Sequence, residues 1–437
     1  MVDVVFGTLF FLVLLAAVYF TRELSTGFGA YLIGSYIVRL AIHFVSTNVQ
    51  FFHHEIAGDA RIYEWLATGI AKQWEISGFQ YMTAHENPLI GPTSLPPNMF
   101  AVFIYLAGGQ SARIACTSLV VLVTCLTALY LHRLALELGA ARRTASRMIM
   151  LLFAMPGVLY YTSDMYKDPL VLGFTLAAVG SAIRVSRRFT LLHAGIGLVA
   201  LAALWHVRFY MVFLAVLPIA VGYMGFGSGR WLRPTISAIV VGAALWALAG
   251  SQSGADAASS VGETFDFATG RSPDVGVGNA YGGSAVELDK GLGSIPPRVI
   301  YTLFSPFPWQ AGTIGLHLGK VDALIFTFLI YRAIRGSRVL VRVDRATFLS
   351  LAAYIVPTTF AYSLTMANIG LILRQRIPVV VLVGLLAMFS WPLRAAQRAP
   401  APGTTPRGEG GPVTRPRRLP KPPARPGRLA PARAPRA

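Results

Sequence analysis

Long apolar runs constrain this chain more than any other feature. A transmembrane helix needs roughly 17 to 25 mainly apolar residues. Runs of about that length lie near 4–21, 27–45, 112–133, 145–161, 168–184, 189–205, 209–226, 232–250, 319–334, 346–365 and 375–394. Charged residues make up 13% of the chain, against about 25% in soluble domains. We therefore predict an all-α, polytopic transmembrane helical bundle of about eleven spans.

Basic residues indicate how this bundle is oriented. They cluster in four short connections, within 133–147, 184–188, 230–233 and 332–345. Because cytoplasmic loops carry an excess of Lys and Arg, we assign all four to the inside. Thirteen of the 19 acidic residues then fall on the opposite face. This predicts a multi-pass protein of the cell (plasma) membrane whose active face is extracytoplasmic.

Residues 1–394 form the predicted transmembrane domain, which includes two external segments, 46–111 and 251–318. The first contains helical stretches near 58–74 and 96–107, which we expect to lie as external juxtamembrane helices because the second is too short to span. The second begins with many small polar residues and ends in the aromatic, proline-rich stretch 295–309, which is typical of a membrane interface.

Residues 395–437 are predicted to be a disordered, Pro/Arg-rich cytoplasmic tail, because they offer little apolar surface for a core. Residues 398–437 carry ten basic residues and one acidic residue, Glu409. No aromatic residue interleaves the arginines for base stacking, so we expect membrane lipid and no nucleic acid as a partner.

A first group of charged and aromatic side chains lies in the first external segment, 46–111. Asp59, Arg61, Tyr63 and Glu64 follow each other closely in a helix-like segment. Asp59 and Tyr63 are four residues apart and would share one helix face, while Glu64 would turn away from Asp59. Capping of the helix N-terminus by Asp59 is the alternative interpretation.

A second group lies in the outward turn 160–169. It contains Asp164, Lys167 and Asp168, so two carboxylates flank an ammonium group within five residues. Asp168 precedes Pro169, which is also typical of a helix N-cap. The lysine could lower the pKa of a neighbouring carboxyl or pair with a phosphate.

Four arginines on the predicted outer face form the third group: Arg208, Arg298, Arg374 and Arg376. Guanidinium groups suit bidentate contacts with phosphate. A single external arginine is often only paired or extended toward the membrane surface. Several at separate loops of one face favour an anionic ligand such as a phosphate or pyrophosphate.

Several motifs resemble those of GT-C superfamily integral-membrane glycosyltransferases, in particular the polyprenyl-phosphate-sugar-dependent branch. They are Gly58-Asp59-x-x-x-Tyr63-x-x-x-Ala67, then Gly109-Gln110-Ser111-Ala112-Arg113, and Ala154-Met155-Pro156-Gly157 before the acidic turn. The later stretches 304–309 and 368–376 resemble bacterial envelope-polysaccharide membrane proteins, some of them polymerases.

The resemblance implies a membrane glycosyltransferase that moves a hexosyl or pentosyl group from a polyprenyl-phosphate donor to an extracytoplasmic acceptor, such as a cell-envelope glycan, lipid or protein. It implies that Asp59 is the catalytic base or orients the acceptor, and that Asp164 or Asp168 is a second acid. Arginines would bind the lipid phosphate. A divalent metal is a candidate cofactor, with no ligands assigned.

Two other interpretations remain at this stage. A polymerase or ligase acting on lipid-linked oligosaccharides would depend mainly on Arg298, Arg374 and Arg376. A transporter or flippase would place its polar residues near the membrane midplane and would often show paired repeats. The acids of this chain fall in loops, and no repeat is visible in the sequence.

Overall fold

A computed structural model describes residues 1–21, 25–48, 58–90, 93–224, 242, 293, 295–310, 314–365 and 369–392. Within these ranges the chain forms helices and connecting turns, with no β-strand. The predicted span at 232–250 lies outside the described residues apart from residue 242. So do nearly all of segment 251–294 and the tail at 395–437.

The α-helices follow one another along the described ranges. They are α1 (Val2–Phe20), α2 (Thr26–Asn48), α3 (Gly58–Ser77), α4 (Leu95–Leu106), α5 (Arg113–Glu137), α6 (Arg142–Ala154), α7 (Pro156–Tyr161), α8 (Asp168–Arg187), α9 (Leu191–Arg208), α10 (Tyr210–Met224), α11 (Ile295–Phe304), α12 (Ile314–Val343), α13 (Arg345–Thr365), α14 (Ile369–Gln375) and α15 (Ile377–Met388).

Six of these helices are long and apolar enough to cross a membrane: α1, α2, α5, α8, α9 and α13. A seventh crossing would come from α14 and α15 together, which meet at an angle of 52°. Helices α4 and α10 are apolar but shorter. The described residues are thus those of a helical membrane protein with six candidate spans, or up to seven.

The predicted span at 145–161 is divided into two helices, α6 and α7. Met155 separates them with φ −56° and ψ 132°, which is not a helical conformation. Pro156 causes the break, because proline lacks an N–H and disfavours helical backbone in the residue before it.

Two buried charged side chains satisfy the backbone groups at this break. Arg39 of α2 donates from Nη2 to the carbonyl oxygen of Phe153 at 2.7 Å. The N–H of Gly157 donates to Asp322 Oδ2 of α12 at 2.6 Å. Each charge has the sign that the adjacent helix end attracts, since helix C-termini attract cations and N-termini attract anions. The break is therefore stabilised by hydrogen bonds from two other helices, α2 and α12.

Helices α3 and α4 are the two predicted juxtamembrane helices, and they pack against each other. The buried residues of α3 recur at helical spacing. They include Ala60, Tyr63, Ala67, Ile70 and Trp74, and they share an apolar cluster with Phe100 and Ile104 of α4. Met165 and Tyr166, from the turn before α8, belong to the same cluster. This packing brings α3 beside the acidic turn.

Close helix contacts hold the rest of the bundle together. A Cβ added at Gly336 would overlap the carbonyl oxygen of Leu386, and one at Gly222 would overlap the backbone of Ala182. These glycines therefore let α12 approach α15, and α10 approach α8, more closely than any other residue would allow.

Candidate functional site

Three of the predicted site residues lie close together: Asp164 and Lys167 in the turn between α7 and α8, and Asp168 as the first residue of α8. Pro169 favours a helix start at this point, because its fixed φ suits the first helical turn. Asp164 and Asp168 are both buried. Each is the centre of a different ionic cluster.

Asp59, Asp168, Arg208 and Arg374 form the first of these, which we name the Arg374 cluster. Arg374 donates from Nε to Asp168 Oδ2 at 2.6 Å, and its Nη1 donates to Asp59 Oδ2. Arg208 Nη2 contacts the other oxygen of Asp168 at 3.3 Å. The carboxylate of Asp168 thus binds two arginines and does not cap α8.

The members of the Arg374 cluster differ in their access to solvent. The side chain of Asp168 is 4% exposed and that of Arg208 is 6% exposed. Arg374 is 10% exposed, whereas Asp59 is 44% exposed. The Nη2 atom of Arg374 is buried and has no hydrogen-bond partner among the described residues. Asp59 is therefore the accessible end of the cluster, and Arg374 retains one unused donor.

Aromatic rings surround this cluster. The guanidinium of Arg374 lies 5.7 Å from the ring centroid of Tyr161 and 5.4 Å from that of Tyr166. The guanidinium of Arg208 lies 5.8 Å from the ring of Tyr210. Rings at these distances attract cations through their negative faces. They also exclude water, which strengthens the ionic contacts.

Lys167 lies beside the Arg374 cluster. Its Nζ donates to Thr93 Oγ1 at 3.0 Å and lies 5.9 Å from the ring centroid of Tyr63. Burial is the main cause that lowers the pKa of Lys167 to about 7, and the positive charge of Arg208 adds to it. The ammonium group is therefore poised to gain or lose its proton near neutral pH.

Asp164, Arg113, Glu64 and His43 form a second group, the Asp164 cluster. Arg113 Nη2 contacts Asp164 Oδ2 at 2.9 Å, and its Nη1 contacts Glu64 Oε2 at 3.3 Å. His43 Nδ1 lies 3.1 Å from Asp164 Oδ1. Helix α3 is therefore linked to the acidic turn twice, through Asp59 in one cluster and Glu64 in the other.

Neighbouring side chains keep the carboxyl groups of Asp59 and Asp164 charged. Burial acts to raise the pKa of Asp59, but the charge and hydrogen bond of Arg374 outweigh it, so the pKa falls below its usual value. For Asp164, burial is likewise outweighed, by His43 and Arg113, and the pKa is lowered. Burial raises the pKa of Tyr63, which therefore stays a neutral hydroxyl. Both acids are carboxylates at neutral pH.

The other predicted arginines lie apart from these contacts. Arg376 donates from Nη1 to the carbonyl oxygen of Ser305 at 2.7 Å, at the end of α11. Arg298 donates to the carbonyl oxygen of Leu364 at 3.4 Å. Arg61 is exposed on α3, on the side away from its buried face. Phosphate binding by Arg61, Arg298 and Arg376 stays a prediction.

Sequence reasoning missed four charged or titratable residues that the structure brings into play. They are Arg39 and His43 on α2, Arg113 at the start of α5, and Asp322 on α12. Most of them could have been found as ionisable residues within an apolar run. Such residues cost free energy in a membrane, and they usually mark functional sites or ion pairs. Arg39 and His43 are four residues apart, so their common helix face was also visible in the sequence.

The carboxylates of the Arg374 cluster do not fit the candidate divalent metal. Such ions bind several oxygen ligands at once, and no group of three or more His, Cys, Asp and Glu side chains in the described part of the chain could hold one. Asp59 and Asp168 are instead joined by the guanidinium of Arg374. The guanidinium of Arg374 therefore lies where a metal ion between the two carboxylates would have to bind.

Comparison of this chain with protein-family models, with curated proteins and with solved structures found no match.

Proposed function

We propose that this chain is a membrane glycosyltransferase that transfers a hexosyl or pentosyl group from a polyprenyl-phosphate donor to an extracytoplasmic hydroxyl acceptor. The observation that carries the proposal is the Arg374 cluster. It combines a half-exposed carboxylate with buried guanidinium groups, and a lysine lies beside it. Transfer of a sugar from a phosphate needs both kinds of group, a base for the acceptor and cations for the leaving phosphate.

Asp59 is the base in this proposal, because it is the accessible acid of the cluster. The acceptor hydroxyl attacks C1 of the sugar, and its proton passes to the Asp59 carboxylate. The new C1–O bond forms as the bond from C1 to the phosphate oxygen breaks. The electron pair leaves with the polyprenyl phosphate, and the configuration at C1 is inverted.

Lys167 and Arg374 stabilise the leaving phosphate. Arg374 has an unused Nη2 donor, and the ammonium group of Lys167 is held by a neutral hydroxyl, Thr93, rather than by a carboxylate. Asp168 is nearly inaccessible and binds two arginines. It is therefore a positioning residue, which fixes Arg208 and Arg374. Asp164 fixes Arg113 and so ties α3 to the acidic turn.

The membrane arrangement belongs to the same proposal. About eleven spans, with the stretch 232–250 among them, would carry the Arg374 cluster to the extracytoplasmic face of the plasma membrane and the tail at 395–437 to the cytoplasm. The strongly basic connections on the opposite side support this orientation. The polyprenyl chain of the donor would lie in the bilayer beside the helices.

The arrangement of the arginines favours transfer of a sugar over polymerisation. A polymerase or ligase would depend on Arg298, Arg374 and Arg376 together, yet Arg298 and Arg376 donate to backbone carbonyl oxygens around α11 and α13. The acids argue against a transporter, since Asp59 and Asp168 lie at helix beginnings rather than at the middle of a span.

Asp59→Asn tests the assignment of the base. The purified chain is reconstituted in vesicles with a panel of polyprenyl-phosphate hexoses and pentoses and an extract of envelope acceptors, and released polyprenyl phosphate is measured by mass spectrometry. We expect the variant to lose about 10²-fold or more in rate, the usual contribution of a general base. Glu75→Gln, an exposed acid on the same helix, is the matched control. Full activity of Asp59→Asn would remove the proposed role.

A further inference from the structure

An apolar groove lies on the bundle between α1, α5 and α8. Its volume is about 570 Å³, within the usual range of small-molecule sites, about 300 to 1,000 Å³. Phe20, Leu126, Phe174 and Ala177 are among the residues that form its walls. Arg133 and Thr21 also line it, and Arg133 is its one charged lining residue in the described part of the chain.

The charged end of the groove, at Arg133, lies far from the Asp164 cluster. Arg113, which belongs to the Asp164 cluster, begins α5, and Arg133 follows 20 residues later on the same helix. At 1.5 Å per residue the two are about 30 Å apart along the axis, which is about the thickness of the hydrocarbon core. Arg133, at one end of the groove, therefore lies at the membrane surface opposite to that of Arg113.

Arg133 lacks the carboxylate that its sequence position would offer. Glu137 lies one helical turn further along α5, but its two oxygens accept from Arg184 Nε at 2.8 Å and Nη2 at 3.1 Å. Arg133 donates from Nη2 to the neutral hydroxyl of Thr21 at 3.0 Å. Among the described residues no acid forms an ion pair with Arg133.

We propose that this groove, the Arg133 groove, binds a phosphate-headed amphiphile, with its hydrocarbon chain along the groove and its phosphate against Arg133. The walls offer contacts to a chain, and the guanidinium at the end matches a phosphate in charge and geometry. A membrane glycerophospholipid and a polyprenyl phosphate share this chemistry. The inference does not depend on the proposed sugar transfer.

Binding to the full detergent-solubilised chain tests the proposal with three probes: farnesyl phosphate, farnesol and phosphatidylglycerol. We expect farnesyl phosphate or phosphatidylglycerol to bind, and farnesol to bind at least about tenfold more weakly, because a charge-assisted hydrogen bond is lost. Arg133→Gln should weaken the phosphate probes by a similar factor. Arg143→Gln, an exposed arginine outside the groove, should leave binding unchanged.

A second pair of variants tests the groove itself. Ala177→Phe fills it and should abolish binding, whereas Ala16→Leu adds bulk at an exposed position of α1 outside the groove and should not. Preference for farnesyl phosphate would identify a single-chain lipid, and preference for phosphatidylglycerol a membrane phospholipid. Equal binding of farnesol and farnesyl phosphate, or equal effects of Arg133→Gln and Arg143→Gln, would overturn the proposal. Lys167 and Arg374 are unchanged in Arg133→Gln, so the loss of binding in that variant reports on the groove and not on the site of sugar transfer.

Discussion

Asp59 and Asp168 contact the same guanidinium but have different surroundings. Asp168 is enclosed and binds two arginines, whereas Asp59 is open on one side and binds one of them. Desolvation makes an ionic contact stronger and makes the loss of one partner more costly. The two acids should therefore respond differently to the same substitution.

Asp168→Asn should destabilise the protein more than Asp59→Asn does. Removing one partner from a buried ion pair costs about 3 to 5 kcal/mol, while exposed pairs are worth about 0 to 1 kcal/mol. Thermal unfolding in detergent compares the two variants, with Glu75→Gln as the control. Equal melting temperatures for both would show that Asp168 does not anchor Arg208 and Arg374.

Lys167 should make donor binding depend on pH. Burial and the charge of Arg208 lower its pKa to about 7; Arg374 also lowers it, while Asp168 and Asp59 act in the opposite direction. The ammonium form prevails at pH 6 and the neutral amine at pH 8. Because a phosphate prefers the ammonium form, the KM for the donor should rise severalfold from pH 6 to pH 8.

Lys167→Gln should remove most of this pH dependence, since the glutamine does not titrate. A KM that still rises between pH 6 and pH 8 in the variant would assign the effect to another group. The stability of the protein should change with pH in the opposite direction to donor binding: binding weakens as the pH rises, whereas stability increases. The unfolded lysine holds its proton up to about pH 10.4, so unfolding takes up protons between pH 7 and that value, and stability rises with pH there.

The break between α6 and α7 determines where the acidic turn lies. Pro156 interrupts the helix, and Arg39 and Asp322 satisfy the backbone on its two sides. The short helix α7 then leads directly to Asp164 and Lys167. An uninterrupted helix over 145–161 would direct the turn elsewhere.

Asp322→Leu should therefore weaken both stability and transfer. It leaves the partly buried N–H of Gly157 without an acceptor, which costs about 1 to 3 kcal/mol. Asp322→Asn keeps an acceptor oxygen and should be much milder, so it serves as the matched variant. Unfolding temperature and transfer rate are measured for both. If leucine and asparagine have the same effect, the hydrogen bond to Gly157 is not what Asp322 contributes.

Local elements were predictable from the sequence, and their mutual contacts were not. The apolar runs predicted α1, α2, α5, α8, α9 and α13, because length and composition alone decide whether a helix suits a bilayer. Helix α3 and the acidic turn were identified as carriers of site residues. That Arg374 contacts Asp59 while Arg376, two residues later, contacts Ser305 depends on helix packing, which no spacing rule reveals.

The orientation of the whole molecule can be tested by cysteine labelling. The native Cys116 and Cys125 are both buried. We therefore expect the reagent to label only a cysteine that is added at an accessible position. We expect Ser259→Cys, in segment 251–318, to react with an impermeant maleimide from outside the cell. Thr404→Cys, in the tail, should react only after the membrane is opened. Reversed accessibility would move the Arg374 cluster to the cytoplasmic face and contradict an extracytoplasmic acceptor.

The contact between Arg374 and Asp59 joins residues 315 positions apart in the sequence. A ribosome that is still synthesising α13 has therefore already inserted Asp59 and Asp168, but not the guanidinium that joins them. Biogenesis leaves the two acids without their shared counter-ion until the last helices emerge. A nascent chain that stalls before residue 374 should remain inactive, even when helices α1 to α13 have all formed.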